Sequence, residues 1–325
     1  EKEDLIASSF FFLSARQEIT NNNEDSKGRF LAKDSAQAKA GKILEPLVDV
    51  WFEKLAMRLK SFGVPIKKAS FPNNSSHILN ISHDIDFVSL ERLYLRKLIK
   101  KKVYNYFLSN TKKKYTNLSL VLASRVLQRR VLHKIRKFTL SKGYPTTFNI
   151  RPNYNINDNR SIKKLCKIID GSISEMGFHP DKDIIGINNI EKSINHFKQN
   201  YSLKNLHGLR IHELAFKHIE LYRALEKTNT ILYDHSMMFS DLPGYRTAFS
   251  LPHRLFLPEE NKPTKCVSIP LLAMDTTFFK YMLLDEIEVE KNIESLLHTS
   301  INSSRIFSLL IHNNFFFTRT KKRFK

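Results

Sequence analysis

The 325-residue sequence predicts an α/β protein built on a parallel sheet, either open or closed into a barrel. From residue 78 onwards, short apolar runs of strand length alternate with segments of helical periodicity, an alternation typical of parallel sheets. Several apolar runs end directly in histidine, aspartate or arginine, where parallel α/β folds place their functional groups. The length allows one large domain and a smaller one.

The first part of the chain predicts a small domain of its own. Residues 4–13 are apolar and predict a buried helix, and residues 43–59 carry apolar side chains at helical spacing. Pro65 and the polar stretch 71–76 are typical of a linker. We therefore expect one domain over residues 1–72 and another over residues 73–325.

The second part predicts alternating strands and helices. Strands are expected at 78–81, 146–150, 230–233, 267–272 and 306–311. Helices are expected at 161–176, 189–200, 219–225 and 278–297.

Residues 92–137 predict a basic helical insertion, because they hold fifteen Lys and Arg side chains and no Asp or Glu. A solvated helical face over a core stripe explains this pattern. Docking on an anionic membrane or an acidic glycan is the second explanation. The overall formal charge of +21 fits such anionic partners, whereas no nucleic-acid recognition motif accompanies the charge.

The location of the protein is expected to be cytoplasmic or peripheral to the membrane. No apolar run has the length of a membrane span, and no secretory signal is visible. Cys166 and Cys266 imply no disulfide framework. The sequence opens on Glu1 and an interior-like apolar segment, so we expect a truncated N-terminus.

The apolar run 78–81 ends in a cluster formed by His83, Asp84 and Asp86. A carboxylate with imidazoles can hold a divalent ion, a second carboxylate can accept a proton from water, and an arginine can fix that base. The sequence therefore predicts metal-assisted hydrolysis at one rim of the sheet. Further candidates follow other predicted strands: His179, Arg210, His212, Asp234, His235, Asp275 and His312.

Five short motifs resemble, in order, those of the polysaccharide deacetylase (NodB-homology, carbohydrate esterase family four) superfamily. They are Ser-His-Asp-Ile-Asp at 82–86, Glu-Met-Gly-Phe-His-Pro at 175–180, Gly-Leu-Arg-Ile-His at 208–212, Tyr-Asp-His-Ser at 233–236 and Leu-Ile-His at 310–312. The chain is most similar to a bacterial subgroup in which an uncharacterised domain precedes the catalytic one. The resemblance implies a distorted (β/α) barrel of about seven strands, preceded by part of a small N-terminal α/β domain.

The resemblance also implies a zinc-dependent removal of N-acetyl groups from amino sugars in surface-glycan metabolism. It makes Asp84 the base, Arg210 the side chain that orients it, and His312 the acid. The implied metal ligands are Asp86, His179 and Asp183, the last standing where the family has a second histidine. Tyr245, Arg246 and Asp234 are the candidate substrate-binding residues. The alternative is an inactive relative that binds glycan or an anionic membrane surface.

Overall fold

The computed structural model describes residues 4–21, 23–67, 71–86, 144–152, 163, 165–167, 169, 174–186, 190–203, 205–303 and 305–312. The basic segment predicted at 92–137 lies outside these residues.

The protein is an α/β structure around a curled, nine-stranded sheet, which confirms the predicted fold class. The strand order is β6-β7-β5-β4-β3-β2-β1-β9-β8, and every neighbouring pair is parallel except β6 and β7. The strands are β1 (Ile78–Ile85), β2 (Thr147–Ile150), β3 (Glu175–Phe178), β4 (Gly208–Leu209), β5 (Tyr233–Asp234), β6 (His253–Leu257), β7 (Lys262–Ser268), β8 (Ala273–Met274) and β9 (Ile306–His312).

Helices cover the outer face of the sheet and bury apolar stripes against it. The stripe of the helix Ile190–Tyr201, for example, consists of Ile190, Ile194, Phe197 and Tyr201, spaced as helical periodicity requires. The helices are α1 (Leu5–Leu13), α2 (Arg16–Thr20), α3 (Ala36–Lys39), α4 (Leu47–Ser61), α5 (Ile190–Tyr201), α6 (His218–Leu225) and α7 (Glu286–Asn302). A π-helical turn spans Thr277–Tyr281. Among the described residues, no helix has both the length and the apolar character to cross a bilayer.

The N-terminal segment, residues 4–67, packs directly on the sheet-forming part of the chain. Phe12 and Val48 share an apolar cluster with Phe249, and Gln17 Nε2 donates to the Arg246 carbonyl at 3.2 Å. The described residues of this segment form helices and turns only, whereas an α/β domain was expected. The division at residue 72 stays a prediction.

Register places the polar ends of the central strands side by side. In β1, residue 84 pairs with Asn149 of β2 on one side and with His312 of β9 on the other. Side chains two residues apart in a strand share one face, so Ser82, Asp84 and the following Asp86 point the same way. The sheet therefore delivers the opening motif to a common rim.

Candidate metal and acid–base site

Asp84 is a buried carboxylate held by two donors. Arg210 Nη1 donates to its Oδ1 at 2.8 Å, and Asn149 Nδ2 donates to the same atom at 3.0 Å. Burial alone would raise the pKa of Asp84, but the Arg210 guanidinium and the neighbouring imidazoles hold it well below its usual range. Asp84 is therefore an ionised carboxylate at neutral pH.

Arg210 is fully buried directly after β4, and its guanidinium is held on three sides. Besides its bond to Asp84, it donates from Nη2 to Ser82 Oγ at 2.9 Å and from Nε to the His235 carbonyl at 3.1 Å. A planar guanidinium fixed in this way cannot reorient without breaking buried hydrogen bonds. It sets the position and the charge of Asp84.

His179 presents a lone nitrogen to two carboxylates. Its Nδ1–H donates to the Arg210 carbonyl at 2.8 Å, so Nε2 faces Asp86 Oδ1 at 3.3 Å and Asp84 Oδ2 at 3.5 Å. Among the described residues, neither His179 Nε2 nor Asp86 Oδ1 has a hydrogen-bond partner, and both atoms are buried. Lone pairs on an imidazole and on carboxylates repel one another, so a positive species, a proton or a metal ion, belongs between them.

His212 approaches the same point from the turn after β4. Its Nδ1–H donates to Asp181 Oδ1 at 2.7 Å, and its Nε2 lies 3.6 Å from Asp86 Oδ1. Burial would raise the pKa of Asp181, but the hydrogen bonds from His212 and Arg151 lower it to about 2. An ionised Asp181 thus fixes the tautomer that leaves Nε2 unprotonated, as carboxylates do behind metal-binding histidines.

Asp86, His179 and His212 together have the composition of a divalent-metal site. One ligand atom from each lies within 4.8 Å of the other two. Two imidazole nitrogens and one carboxylate, with further positions open, form a set typical of catalytic zinc. The orphaned, buried atoms on Asp86 and His179 are those that an ion would satisfy, so the residues fit the metal.

Asp183 does not join this group, and here the structure differs from the sequence prediction. It lies exposed on the 3₁₀ turn Lys182–Ile184, outside the described group of candidate ligands. The turn after His179 brings Asp181 inward instead, where it binds His212 rather than a metal. The second imidazole therefore comes from the Arg-x-His motif and not from the position four residues beyond His179.

His312 stands beside Asp84 at the end of β9 and is paired with Asp275, which follows β8. Its Nδ1–H donates to Asp275 Oδ1 at 2.6 Å, and its backbone N–H donates to Asp275 Oδ2 at 2.9 Å. Burial opposes protonation, but the negative charges of Asp275, Asp84 and Asp86 raise the pKa of His312 to about 9. His312 is therefore a protonated imidazolium at neutral pH.

A cavity of about 480 Å³ opens onto these groups, a size suited to a small ligand. Asp84, Asp86, His212 and His312 line it together with apolar side chains such as Leu310. The lining also includes Lys27 and Arg29 of the N-terminal segment, Tyr281 of the π-helical turn, and Glu213, Leu214, Phe279 and Lys280.

The three predicted substrate-binding residues do not line this cavity. Asp234 is buried and accepts hydrogen bonds from Tyr222 Oη at 2.9 Å and from the Ser236 amide at 3.0 Å. Arg246 donates to both carboxylate oxygens of Glu18 at 2.7 and 2.6 Å. Tyr245 is buried in an apolar cluster with Phe278 and others. All three support the architecture around the site.

Sequence inspection missed several residues that complete the site. Asn149 follows from the register of β2 alone, and Asp181 was detectable only through its spacing of two from His179. Lys27 and Arg29 gave no local signal, because they are distant in sequence from every motif. His83, by contrast, faces away from the rim: it stacks on Phe148 with ring centroids 5.3 Å apart, and its Nδ1 lies 3.1 Å from the Ile311 carbonyl.

Comparison with known proteins gives limited matches. Residues 2–63 match a family described as "Family of unknown function (DUF7033)", and no curated protein matches significantly. A solved chain described as "Crystal structure of putative polysaccharide deacetylase from Mycobacterium smegmatis" is similar at a TM-score of 0.48 and 12% identity, over 77% of this chain and 81% of that chain. Conclusions on the site therefore rest on this chain's own residues.

Proposed function

We propose that the protein is a metal-dependent hydrolase that removes N-acetyl groups from amino sugars of surface glycans. The observation that carries this proposal is the orientation of two imidazoles. Nδ1 of each donates to an oxygen atom, Arg210 O for His179 and Asp181 Oδ1 for His212. Both Nε2 atoms consequently lie on the side of Asp86, 3.3 and 3.6 Å from its Oδ1, which is the arrangement that a metal site requires.

Zinc is the ion that this donor set favours. When bound, a divalent ion supplies Lewis acidity, which polarises a carbonyl group and lowers the pKa of water. Asp86, His179 and His212 would hold it, and the ion would satisfy the two buried atoms without a partner among the described residues, Asp86 Oδ1 and His179 Nε2.

The chain also supplies an acid and a base whose pKa values are pushed in opposite directions, a pattern typical of hydrolytic sites. Asp84, kept ionised by Arg210, accepts the proton of the water that attacks the acetamide carbonyl carbon. His312, kept protonated by Asp275, gives its proton to the leaving nitrogen as the C–N bond breaks. The products are acetate and the free amine, and the proton on Asp84 returns to solvent or to His312.

Metal binding by ligand variants tests the site. We expect the purified protein, stripped by a chelator, to bind one Zn²⁺ by calorimetry, and Asp86→Ala, His179→Ala and His212→Ala each to abolish tight binding. Asp183→Ala is the matched control and should bind as the parent does. Metal retained by both Asp86→Ala and His179→Ala, or lost only in Asp183→Ala, would contradict the assignment.

Activity is tested by acetate release from tetra-N-acetylchitotetraose with the zinc-loaded protein. Asp84→Asn preserves the side-chain shape but removes the base, and we expect a loss of about 10²–10⁴-fold. Zinc binding without any acetate release from N-acetylated glycans would keep the metal site and exclude this substrate class. The predicted anionic-surface contact rests on residues 92–137 and stays a prediction.

A further inference from the structure

The N-terminal segment reaches the candidate metal site through one loop. Residues 24–29 contact the turn that begins at His212 at two points and the residue before α6 at a third. Lys27 Nζ forms an ion pair with Glu213 Oε1, Arg29 Nη1 donates to the Glu213 carbonyl at 3.2 Å, and Glu24 pairs with Lys217 at 3.4 Å.

The turn itself has a backbone that needs external support. Glu213 and Leu214 both have φ in the left-handed region, at 59° and 54°. This conformation is unfavourable for residues other than glycine and persists only where surrounding contacts enforce it. One side of the turn is held by the sheet, since His212 N–H donates to the Pro180 carbonyl at 2.8 Å.

The other side is held by Arg29, whose position is fixed. Its Nε and Nη2 donate to Asp25 Oδ2 at 2.9 and 2.6 Å, and Nη2 also donates to Tyr281 Oη at 2.9 Å. Only 4% of Arg29 is exposed, so its guanidinium has little freedom to leave the Glu213 carbonyl. A buried, immobilised guanidinium is a rigid clamp on the turn.

We propose that loop 24–29 of the N-terminal segment is a positioning element of the active site, which holds His212 in its metal-binding orientation by clamping the strained turn 212–214. The proposal rests on the proposed function for the identity of the metal site, but the clamp itself is a property of the protein alone. Residues 2–63 match a family of unknown function. The clamp would give this segment a role in positioning the metal site.

The test uses a variant that removes the clamp without leaving a buried charge. Asp25→Asn/Arg29→Met replaces the pair by neutral groups, an exchange that proteins often tolerate, and Arg29→Ala is the simpler companion. Lys42→Ala, which removes the exposed pair with Glu45 in the same segment, is the control. We expect the Zn²⁺ dissociation constant to rise about 10-fold or more in both clamp variants and to stay unchanged in Lys42→Ala.

A double-mutant cycle separates positioning from general destabilisation. In a His212→Ala background, any remaining Zn²⁺ affinity should be unchanged by the clamp substitutions, because the ligand they position is already absent. An equal loss in both backgrounds would overturn the proposal.

A metal-free readout keeps the clamp testable if zinc does not bind. In ¹⁵N-labelled protein, the imidazole of His212 should show the Nδ1–H tautomer, as its bond to Asp181 requires, and Asp25→Asn/Arg29→Met should convert it to a tautomer mixture. An unchanged His212 spectrum in that variant would refute the clamp, whereas absence of zinc binding with a changed spectrum would refute only the proposed function.

Discussion

Replacement of Asp275 by Asn is the sharpest test of the proposed acid. The variant keeps the size of the side chain, and its amide oxygen can still accept the His312 backbone N–H. It removes the negative charge that lies 2.6 Å from His312 Nδ1, the largest of the influences that raise the pKa of this histidine.

The magnitude follows from the raised pKa. An increase from 6.5 to about 9 corresponds to about 3 kcal/mol in favour of the imidazolium, shared among Asp275, Asp84 and Asp86. A cation on Asp86 would weaken the contribution of that carboxylate and leave Asp275 the dominant partner. We therefore expect Asp275→Asn to lower the pKa of His312 by about 1–2 pH units.

The assay is the pH profile of kcat/KM, with a parallel ¹⁵N NMR titration of His312. Because the acid works only when protonated, activity of the parent should fall as the pH rises through about 9. In Asp275→Asn this alkaline limb should move to lower pH, with Asp285→Asn, at the N-cap of α7, as a control. An alkaline limb at the same pH in the parent and in Asp275→Asn would refute the assignment of His312 as the acid.

The same pair predicts a pH dependence of stability. The pKa of His312 is higher in the folded state than in the unfolded one, so its contribution is fully present below about pH 6.5 and is lost as the pH rises to about 9. The free energy of unfolding, measured in urea, should be higher for the parent than for Asp275→Asn. This difference should be larger at pH 6 than at pH 9.5. A constant difference would argue against the raised pKa.

Three further outcomes are expected. Gly177→Ala would place Cβ 2.1 Å from Asn149 Oδ1 and displace the Asn149 amide that binds Asp84. We therefore expect kcat to fall about 10–100-fold and KM to stay unchanged, and full activity would refute this. Arg246→Ala should lower the free energy of unfolding by about 3–5 kcal/mol in urea, because it leaves Glu18 buried without its guanidinium. A loss below about 1 kcal/mol would contradict that account. Asp181→Ala should weaken zinc binding about 10–100-fold in calorimetry, since it removes the acceptor that fixes the second imidazole ligand; unchanged affinity would show that the acceptor is dispensable.

The sequence predicted strands at 78–81, 146–150 and 306–311, where the structure has β1, β2 and β9, and it predicted that functional side chains follow the strand ends. The predicted helix at 161–176 extends too far, because Glu175 and Met176 already belong to β3. Asp84, Asp86 and His179 could be placed together because strand ends in a parallel sheet share an edge. His312 followed by the same rule. Local patterns suffice for such residues, since each lies within one or two positions of a strand end.

Other elements depended on tertiary structure that local patterns do not encode. The predicted helix at 278–297 is a π-helical turn, Thr277–Tyr281, and then a helix that begins at Glu286, because Asp285 provides a capping box. Of the predicted strand 267–272, only Val267 and Ser268 belong to a strand, the end of β7, and its hairpin partner β6 was not predicted. The described residues form nine strands in one curled sheet, where the resemblance implied a barrel of about seven.

The site residues that could not be predicted are those fixed by partners distant in sequence. Asp183 matched the spacing of a family motif, but which aspartate turns inward depends on His212 and Arg151. Arg246 looked suited to a substrate because it is an arginine near a motif. Its use by Glu18, 228 residues earlier, is visible only in three dimensions.

That separation has a consequence for biosynthesis. At about 5–20 residues per second, a ribosome needs on the order of 10–50 s to pass from Glu18 to Arg246. For that interval the carboxylate has no counter-ion, and the aromatic face around Phe12 has no Phe249 to cover it. The residues that complete the packing of the segment around Phe12 and Glu18 are thus synthesised long after that segment.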